Sequence, residues 1–363
     1  MLAARAHEGS TELILETIPI PILGPEDVLI KVASAGLAPG VFSNLSAGRL
    51  THLPTTVGHE IAGTIAKIGS AVTAAVVGDR VRVHPNLSCQ KCRYCLSDRE
   101  QMCAEAAIIG FIGFGKGRMP QYEKYHDGGL AEYIKVPYWL VDKISPNIKF
   151  DVAAKVQDLA SAARALKCAQ LELGSTIIIT AATGSMGAST LKLAEFFPVA
   201  RIILVARSAQ RLKEAQKLTK LPTQIVALED LGDWPATKGL ARKLTELAPK
   251  GVDAIIDFMP SSAGADIWQV IHGLATGGVL VHMGGNGSVL PLPIVALMAN
   301  CWRILGTRGN TRSDAKLVLD LLEDGSLNVD DLISHRFALR DVKQAVSTLQ
   351  NRFPPMWMGV VHP

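Results

Sequence analysis

Four cysteines inside fifteen residues, Cys89, Cys92, Cys95 and Cys103, constrain this chain more than any other stretch of it. They are separated by two, two and seven residues. Zinc takes thiolates tetrahedrally, so three closely spaced cysteines can wrap the ion while the fourth closes the cage from a short return loop. Four thiolates leave no open coordination position, and Lewis-acid catalysis needs one. The motif therefore predicts one structural zinc that orders a lobe, with the chemistry elsewhere. The alternative is four free or disulfide-paired cysteines in a surface loop. The two remaining cysteines, Cys168 and Cys301, are far apart in sequence, a usage that suits a reducing compartment better than a disulfide scaffold.

A chain of 363 residues suggests about two domains, and 48% hydrophobic against 19% charged residues allows each a proper core. The +4 net charge is spread along the chain, and no basic run is interleaved with aromatics, which argues against nucleic acid as a partner. The N-terminal MLAARAHEGSTEL lacks the apolar core of a signal peptide, so a cytoplasmic address is expected. Ile267 to Trp302 contains no Asp, Glu, Lys or Arg. Gly277, Gly278, Gly284, Gly285, Gly287, Pro291 and Pro293 interrupt it, so it reads as buried strands and an apolar contact surface, with no membrane span.

The first 150 residues read as β structure. Prolines punctuate the opening, and Asp27 to Ala35 alternates apolar and polar residues. The stretch from Ala107 to His126 reads as a long loop. Near residue 150 the period changes from two to about 3.6, and Asp151 to Leu171 is expected to be helical. Buried strands at Ser175–Thr180, Arg201–Ala206, Gly251–Asp257 and Gly278–Met283 then alternate with helices, which argues for a doubly wound parallel sheet. Helices are expected from Asp314 to Leu322 and from Leu339 to Leu349. A last strand at Trp357–Val361 is expected to rejoin the first lobe. The expected division is 1–157, 158–306 and 307–363, the last segment completing the first domain.

The loop Ala181 to Gly187 joins a buried strand to a helix start, with Thr183, Gly184, Ser185, Met186 and Gly187 placed to meet a pyrophosphate through backbone N–H groups and the helix dipole. Ala182 stands where the dinucleotide fingerprint has its first glycine. About 20 residues on, an NAD-binding chain would place a carboxylate for the ribose hydroxyl. Here the second strand runs into Arg207 and Ser208, with Arg211 one turn further. A guanidinium pairs with a 2′-phosphate, so NADP(H) is the expected cofactor. Met283 and Arg308 complete the expected cofactor contacts.

A β lobe carrying Gly58-His59-Glu60, Gly78-Asp79-Arg80-Val81, the cysteine knuckle and Asp127-Gly128-Gly129, followed by a dinucleotide-binding domain and a return segment, resembles the zinc-containing alcohol dehydrogenases of the medium-chain dehydrogenase/reductase superfamily. The resemblance covers nearly the whole chain and implies an α/β protein with a GroES-like β-rich catalytic domain and a Rossmann domain. It also implies a small-molecule substrate and a homodimer formed through the Rossmann edge. That family holds a second, catalytic zinc through a cysteine, the histidine of GHE, and a cysteine or aspartate at the start of the cofactor domain. The corresponding positions here are Ala38, His59 and Gln157, with Pro39 after the first and Asp158 after the last. One imidazole does not hold zinc. The expected activity is an NADPH-dependent reduction of an activated C=C, C=N or C=O bond without catalytic zinc, with His59, Ser43 and Tyr125 as candidate catalytic residues. Two other readings are a zinc-dependent alcohol dehydrogenase or aldehyde reductase with an altered ligand set, and a non-catalytic NADPH-binding protein.

Overall fold

The computed structural model describes residues 1–260, 267–351 and 356–363. The chain forms two compact units. The first comprises Met1–Ala160 and Gly309–Pro363, the second Ser161–Arg308, so one break falls inside the helix Phe150–Ala169.

In the first unit the organising element is the ten-residue strand Asp27–Gly36. On one side it pairs antiparallel with Ile61–Ile68, which leads on to Arg80–Val83 and Val141–Lys143. Tyr133–Pro137 pairs with the same strand. On the other side lie the terminal strand Met358–His362 and then Ile333–Ala338, so the return segment closes the sheet. A smaller sheet is built from Ile14–Thr17, Leu2–Ala6 and Thr55–Thr56. Val28, Ile30, Val32, Ile61, Ile65, Leu130 and Ile134 are fully or nearly fully buried in one core. The alternation of these strands places their apolar residues on the inner face.

The stretch Ala107 to His126 is more ordered than a loop. It contains the short strands Ala107–Ile108 and Ile112–Gly113 and the helix Pro120–Tyr125. Pro120 starts that helix where its missing N–H costs nothing, and Tyr122 and Tyr125, three residues apart, bury the same face. The final helix begins at Val342, after a tight turn over Leu339–Asp341, because the apolar period of Val342, Ala345 and Leu349 starts there.

In the second unit six parallel strands run Ser175–Thr180, Val199–Ala206, Thr223–Ala227, Val252–Asp257, Leu274–His282 and Arg303–Gly306. Numbered in chain order they lie 3-2-1-4-5-6, the doubly wound arrangement. The short strand Thr223–Ala227 escapes sequence reading because Thr223 and Gln224 break its apolar run. Ile177, Ile178 and Ile179 are completely buried, as a strand covered on both faces requires. The last strand is solvent-exposed over all four residues, and the helix Ile294–Asn300 buries none of its own. Among the described residues no helix is long and apolar enough to cross a membrane.

Candidate active site and metal lobe

The four cysteine Sγ atoms lie within 4.8 Å of one another, and among the described residues they are the only such convergence of three or more His, Cys, Asp or Glu ligand atoms. Left-handed backbone at Gln90 and Asp98 turns the loop around them. Backbone N–H groups of Cys89 and Glu105 point at the Cys103 sulfur at 3.5 and 3.3 Å, and such donors stabilise a thiolate. This donor set fits a closed tetrahedral zinc held by Cys89, Cys92, Cys95 and Cys103, which would order the lobe. The lobe also grips the return segment: Glu100 accepts from the backbone N–H of Arg312 at 2.7 Å, and Asp98 accepts from Thr311 and from Ser313.

The second metal position is built differently. Ala38 is buried and supplies no donor. Pro39 begins the helix Pro39–Ser46. Gln157, buried on the helix Phe150–Ala169, accepts at Oε1 from the Asn310 side-chain amide at 2.8 Å, and the Asn310 carbonyl in turn accepts from Asn86 at 2.6 Å. His59 follows Gly58, whose φ of +98° and exchange of backbone hydrogen bonds with Gly110 and Gly129 suit only glycine. The His59 ring is buried and stacks on Phe111 with centroids 5.5 Å apart, and its Nδ1 has no hydrogen-bond partner. Burial lowers its pKa to about 4, so the imidazole is neutral at physiological pH.

Beside it, the fully buried Lys155 ammonium lies 2.5 Å from Glu60 Oε2 and 2.9 Å from Asp158 Oδ2. Burial, then the Asp158 charge, pushes the Glu60 carboxyl up to about 8 against the opposing pull of Lys155. Burial disfavours the Lys155 cation, but Asp158 and Glu60 outweigh it and hold its pKa above the ordinary range. These residues do not fit a catalytic zinc. Two of the three ligand positions have no available donor, and Glu60 and Asp158 already share an ammonium.

Ser43 lies on the exposed face of the helix Pro39–Ser46, which buries Val41, Phe42 and Leu45 instead. The Tyr125 phenol donates to Asp27 at 2.6 Å, and burial together with that carboxylate pushes its pKa up to about 12. Its proton is therefore committed to Asp27, at one wall of a cavity of about 410 Å³ also lined by Lys124 and Asp127.

In the second unit, Gly184 caps the helix Ser185–Ala194, and no side chain occupies that cap. A Cβ on Gly187 would lie 2.6 Å from the backbone of Ala182, so helix and strand meet at bare backbone there. This cradle fits a dinucleotide pyrophosphate, with Thr183 to Gly187 around it. Arg207 is exposed at the end of the second strand, and Ser208 starts the next helix without capping it. Arg211 donates to the Thr183 carbonyl at 2.8 Å, so it braces the phosphate loop. Met283 and Arg308 are half-buried, and the Met283 N–H is bonded to the Asp257 carbonyl at 3.0 Å.

Sequence reasoning missed five functional candidates. Glu229, from the turn after the third strand, accepts the Ala209 N–H at 2.7 Å, which sets a carboxylate beside Arg207 and Ser208. At the carboxyl ends of three strands, Asp257 accepts from Thr180 Oγ1 at 2.5 Å and pairs with His282 Nδ1 at 2.5 Å. That hydrogen bond raises the His282 pKa above its ordinary value. The available signal was a polar residue ending each apolar run. Lys155 and Asn310 carried none, since their partners lie 95 and 153 residues away.

Residues 24–146 match the family described as the alcohol dehydrogenase GroES-like domain. The chain is 30% identical over 350 residues to the probable D-xylulose reductase A of Aspergillus clavatus, covering 93% of this chain and 90% of that protein. It is 29% identical, with the same coverage, to D-xylulose reductase A of Aspergillus oryzae. Among solved structures, the alcohol dehydrogenase of Thermus sp. ATN1 superimposes with a TM-score of 0.84 at 21% identity, covering 100% of this chain and 99% of that one. A protein of Sinorhizobium meliloti 1021 described as a zinc-binding dehydrogenase, solved bound to NADP, gives 0.83 at 24% identity with the same coverage. Fold and relatives define a medium-chain dehydrogenase/reductase, an oxidoreductase of small molecules that works with a nucleotide cofactor. Within that class, the chain belongs to the zinc-containing alcohol dehydrogenase family.

Proposed function

We propose that the protein is an NADPH-dependent reductase of an activated C=C, C=N or C=O bond in a small organic substrate, acting in the cytoplasm with a structural zinc and without a catalytic one. The observation that carries this reading is the state of the two other ligand positions: Ala38 has no donor, and the Gln157 amide is bonded to Asn310. The exposed Arg207 and the NADP held by the Sinorhizobium meliloti protein support the cofactor assignment. Of the three bond types, C=O is the one for which the D-xylulose reductase relatives are named.

A reduced nicotinamide dinucleotide held at the Thr183 to Gly187 loop would supply the hydride for one atom of the double bond, and a proton, ultimately from water, would go to the other. His59 is neutral across the working pH range, and a neutral imidazole can hydrogen-bond and polarise a substrate without carrying a charge of its own. Phe111, stacked on the ring, fixes its plane.

Metal content and turnover, measured together on the purified protein, test the reading. About one zinc per chain is expected, with NADPH consumed by at least one member of a panel of ketones, enones and imines. His59→Gln should lower kcat by about 10²- to 10³-fold, the range for loss of one preorganised donor to the developing charge. Two zincs per chain, with activity following the second, would establish the altered-ligand zinc enzyme instead. Tight NADPH binding with no turnover across the panel would establish a non-catalytic NADPH-binding protein.

A further inference from the structure

Three polar side chains end neighbouring strands of the parallel sheet. Thr180, Asp257 and His282 are the last residues of the first, fourth and fifth strands, and Asp257 lies opposite His282 in the strand register. Asp257 is fully buried and faces donors on both oxygens. Thr180 Oγ1 lies 2.5 Å from Oδ1, the Met259 N–H points at the same oxygen at 3.4 Å, and His282 Nδ1 lies 2.5 Å from Oδ2. The Thr180 hydroxyl accepts from the Phe258 N–H at 3.0 Å, so its own proton goes to Asp257. A buried carboxylate needs a compensating cation, and the imidazole is placed to be one.

The His282 side chain is 29% exposed, whereas that of Asp257 is 0% exposed, so the imidazole is the outer end of the pair. The hydrogen bond to Asp257 raises the imidazole pKa above its ordinary value; burial opposes this, and the Asp257 charge and the Gly284 backbone add to it. The segments that follow Thr180, Asp257 and His282, namely 181–187, 258–260 and 283–293, carry no charged residue. The edge strand Arg303–Gly306, whose Gly306 lies opposite His282, carries Arg303, bonded to Gln170, and runs on to Arg308.

In a sheet of order 3-2-1-4-5-6 a dinucleotide lies across the carboxyl ends where the strand order reverses, with one mononucleotide on each half. Arg207, at the end of the second strand, marks the adenosine half, so the nicotinamide half belongs to the side of Asp257 and His282. The oxidised nicotinamide ring is a cation and the reduced ring is neutral. A positive charge on that side opposes the first and leaves the second nearly unaffected.

We propose that His282, held by Asp257, is a specificity residue through which the cofactor domain favours the reduced over the oxidised dinucleotide, by setting an imidazolium on the nicotinamide half of the crevice. This deepens the reductase reading and rests on its assignment of a nicotinamide dinucleotide to this cleft. Oxidised cofactor is then released more readily than reduced cofactor, which suits a reductase. His282 takes no part in hydride transfer.

Cofactor binding tests this apart from activity. Dissociation constants for NADP⁺, NADPH, NAD⁺ and NADH are measured by calorimetry on the full-length, zinc-loaded protein from about pH 6 to about pH 9, a range that brackets a raised histidine. The quantity read is the ratio of the oxidised to the reduced constant within each pair, in which titration of the 2′-phosphate cancels because both members carry it. In the wild type the ratio should be high at the acidic end, where the imidazole is charged, and should fall on the order of 10-fold as pH rises through its pKa, the size of a unit-charge interaction near a protein surface. His282→Gln should show the lower ratio at every pH and His282→Lys the higher, with circular dichroism reporting that each is folded. A wild-type ratio that is flat with pH, or that falls identically in His282→Gln, overturns the inference and leaves the NADPH reading standing. The wild-type profile decides the matter even where neither variant folds: a fall supports the inference and a flat ratio overturns it. Tighter binding of the NAD⁺ and NADH pair overturns the NADPH reading alone, since the ratio within that pair tests His282 equally. Binding of neither pair overturns both.

Discussion

At the scale of single residues, cofactor choice comes down to Arg207 and Glu229. Arg207 is exposed at the end of the second parallel strand, where the adenosine ribose is held in dinucleotide folds. Glu229 reaches the same place from the third strand and bonds the Ala209 N–H. A guanidinium favours a 2′-phosphate and a carboxylate opposes it, so the two act in opposite senses. Arg207→Asp should weaken NADPH by about 10- to 100-fold, from the 1.5–3 kcal/mol typical of a hydrogen bond to a charged group, with little effect on NADH. Glu229→Gln should tighten NADPH and leave NADH unchanged or weaker. Fluorescence titration of both cofactors against both variants checks this; equal effects on NADPH and NADH would show that neither residue reads the phosphate. Arg207 was legible in the sequence because the glycine loop and strand spacing point to it. Glu229 was not, because the strand before it is short and half-polar, and only the 3-2-1 order of the sheet brings its turn beside Arg207. The same limit applies to the ligand positions. The losses at Ala38 and Gln157 can be read directly, whereas Lys155 on Glu60 depends on a contact spanning 95 residues.

At the scale of elements, the cysteine lobe does more than close on itself. The helix Arg312–Glu323 begins with a capping box between Thr311 and Asp314. Asp98 and Glu100 of the lobe add two further acceptors at the same helix start, bonding Ser313 N–H and Arg312 N–H. Negative charge there is also favoured by the helix dipole. Burial raises the Glu100 pKa, so its place at this terminus depends on the lobe holding it against the Arg312 N–H. Cluster metals of this type stabilise the folded form strongly, on the order of 10 kcal/mol or more in small zinc domains. Chelation of the metal, or Cys95→Ser, should therefore release the lobe and the first turn of this helix together. Hydrogen exchange should show faster exchange at residues 89–105 and 311–315 in parallel, while Ile177–Ile179 in the second unit stay protected. Loss confined to 89–105 would mean that the lobe contributes nothing to the helix. The spacing of the cysteines announces the lobe, but its second task is carried by Asp98 and Glu100, two acidic residues that in sequence look like ordinary solvated surface.

At the scale of the whole molecule, the uncharged run from Ile267 to Trp302 divides into a buried part and an exposed part. Part of it is core: Val279, Leu280 and Val281 are buried in the parallel sheet. Val270, Ile271 and Leu274 are buried too, whereas the later helix Ile294–Asn300 is uncovered. Ile294, Val295 and Met298 are 82%, 63% and 71% exposed on one short helix, and the neighbouring edge strand exposes Ile304 and Leu305. An edge strand with unpaired backbone groups next to an apolar helix is the arrangement that soluble chains blunt with charge or cover with a partner. The helix carries no charge, and the edge strand carries only Arg303, bonded to Gln170. A second copy of the same chain supplies the same edge and helix, so a two-fold pairing can continue the sheet and bury both apolar faces at once. A stable interface needs on the order of 1,000 Å² or more in total, which an edge and a helix from each protomer can provide. Sedimentation of the wild type should give a dimer. Ile294→Glu with Met298→Lys should give a monomer that retains its structural zinc and its NADPH affinity, because neither residue belongs to the lobe or the phosphate loop. A monomeric wild type at micromolar concentration would leave the exposed run to some other partner and remove the two-fold assembly.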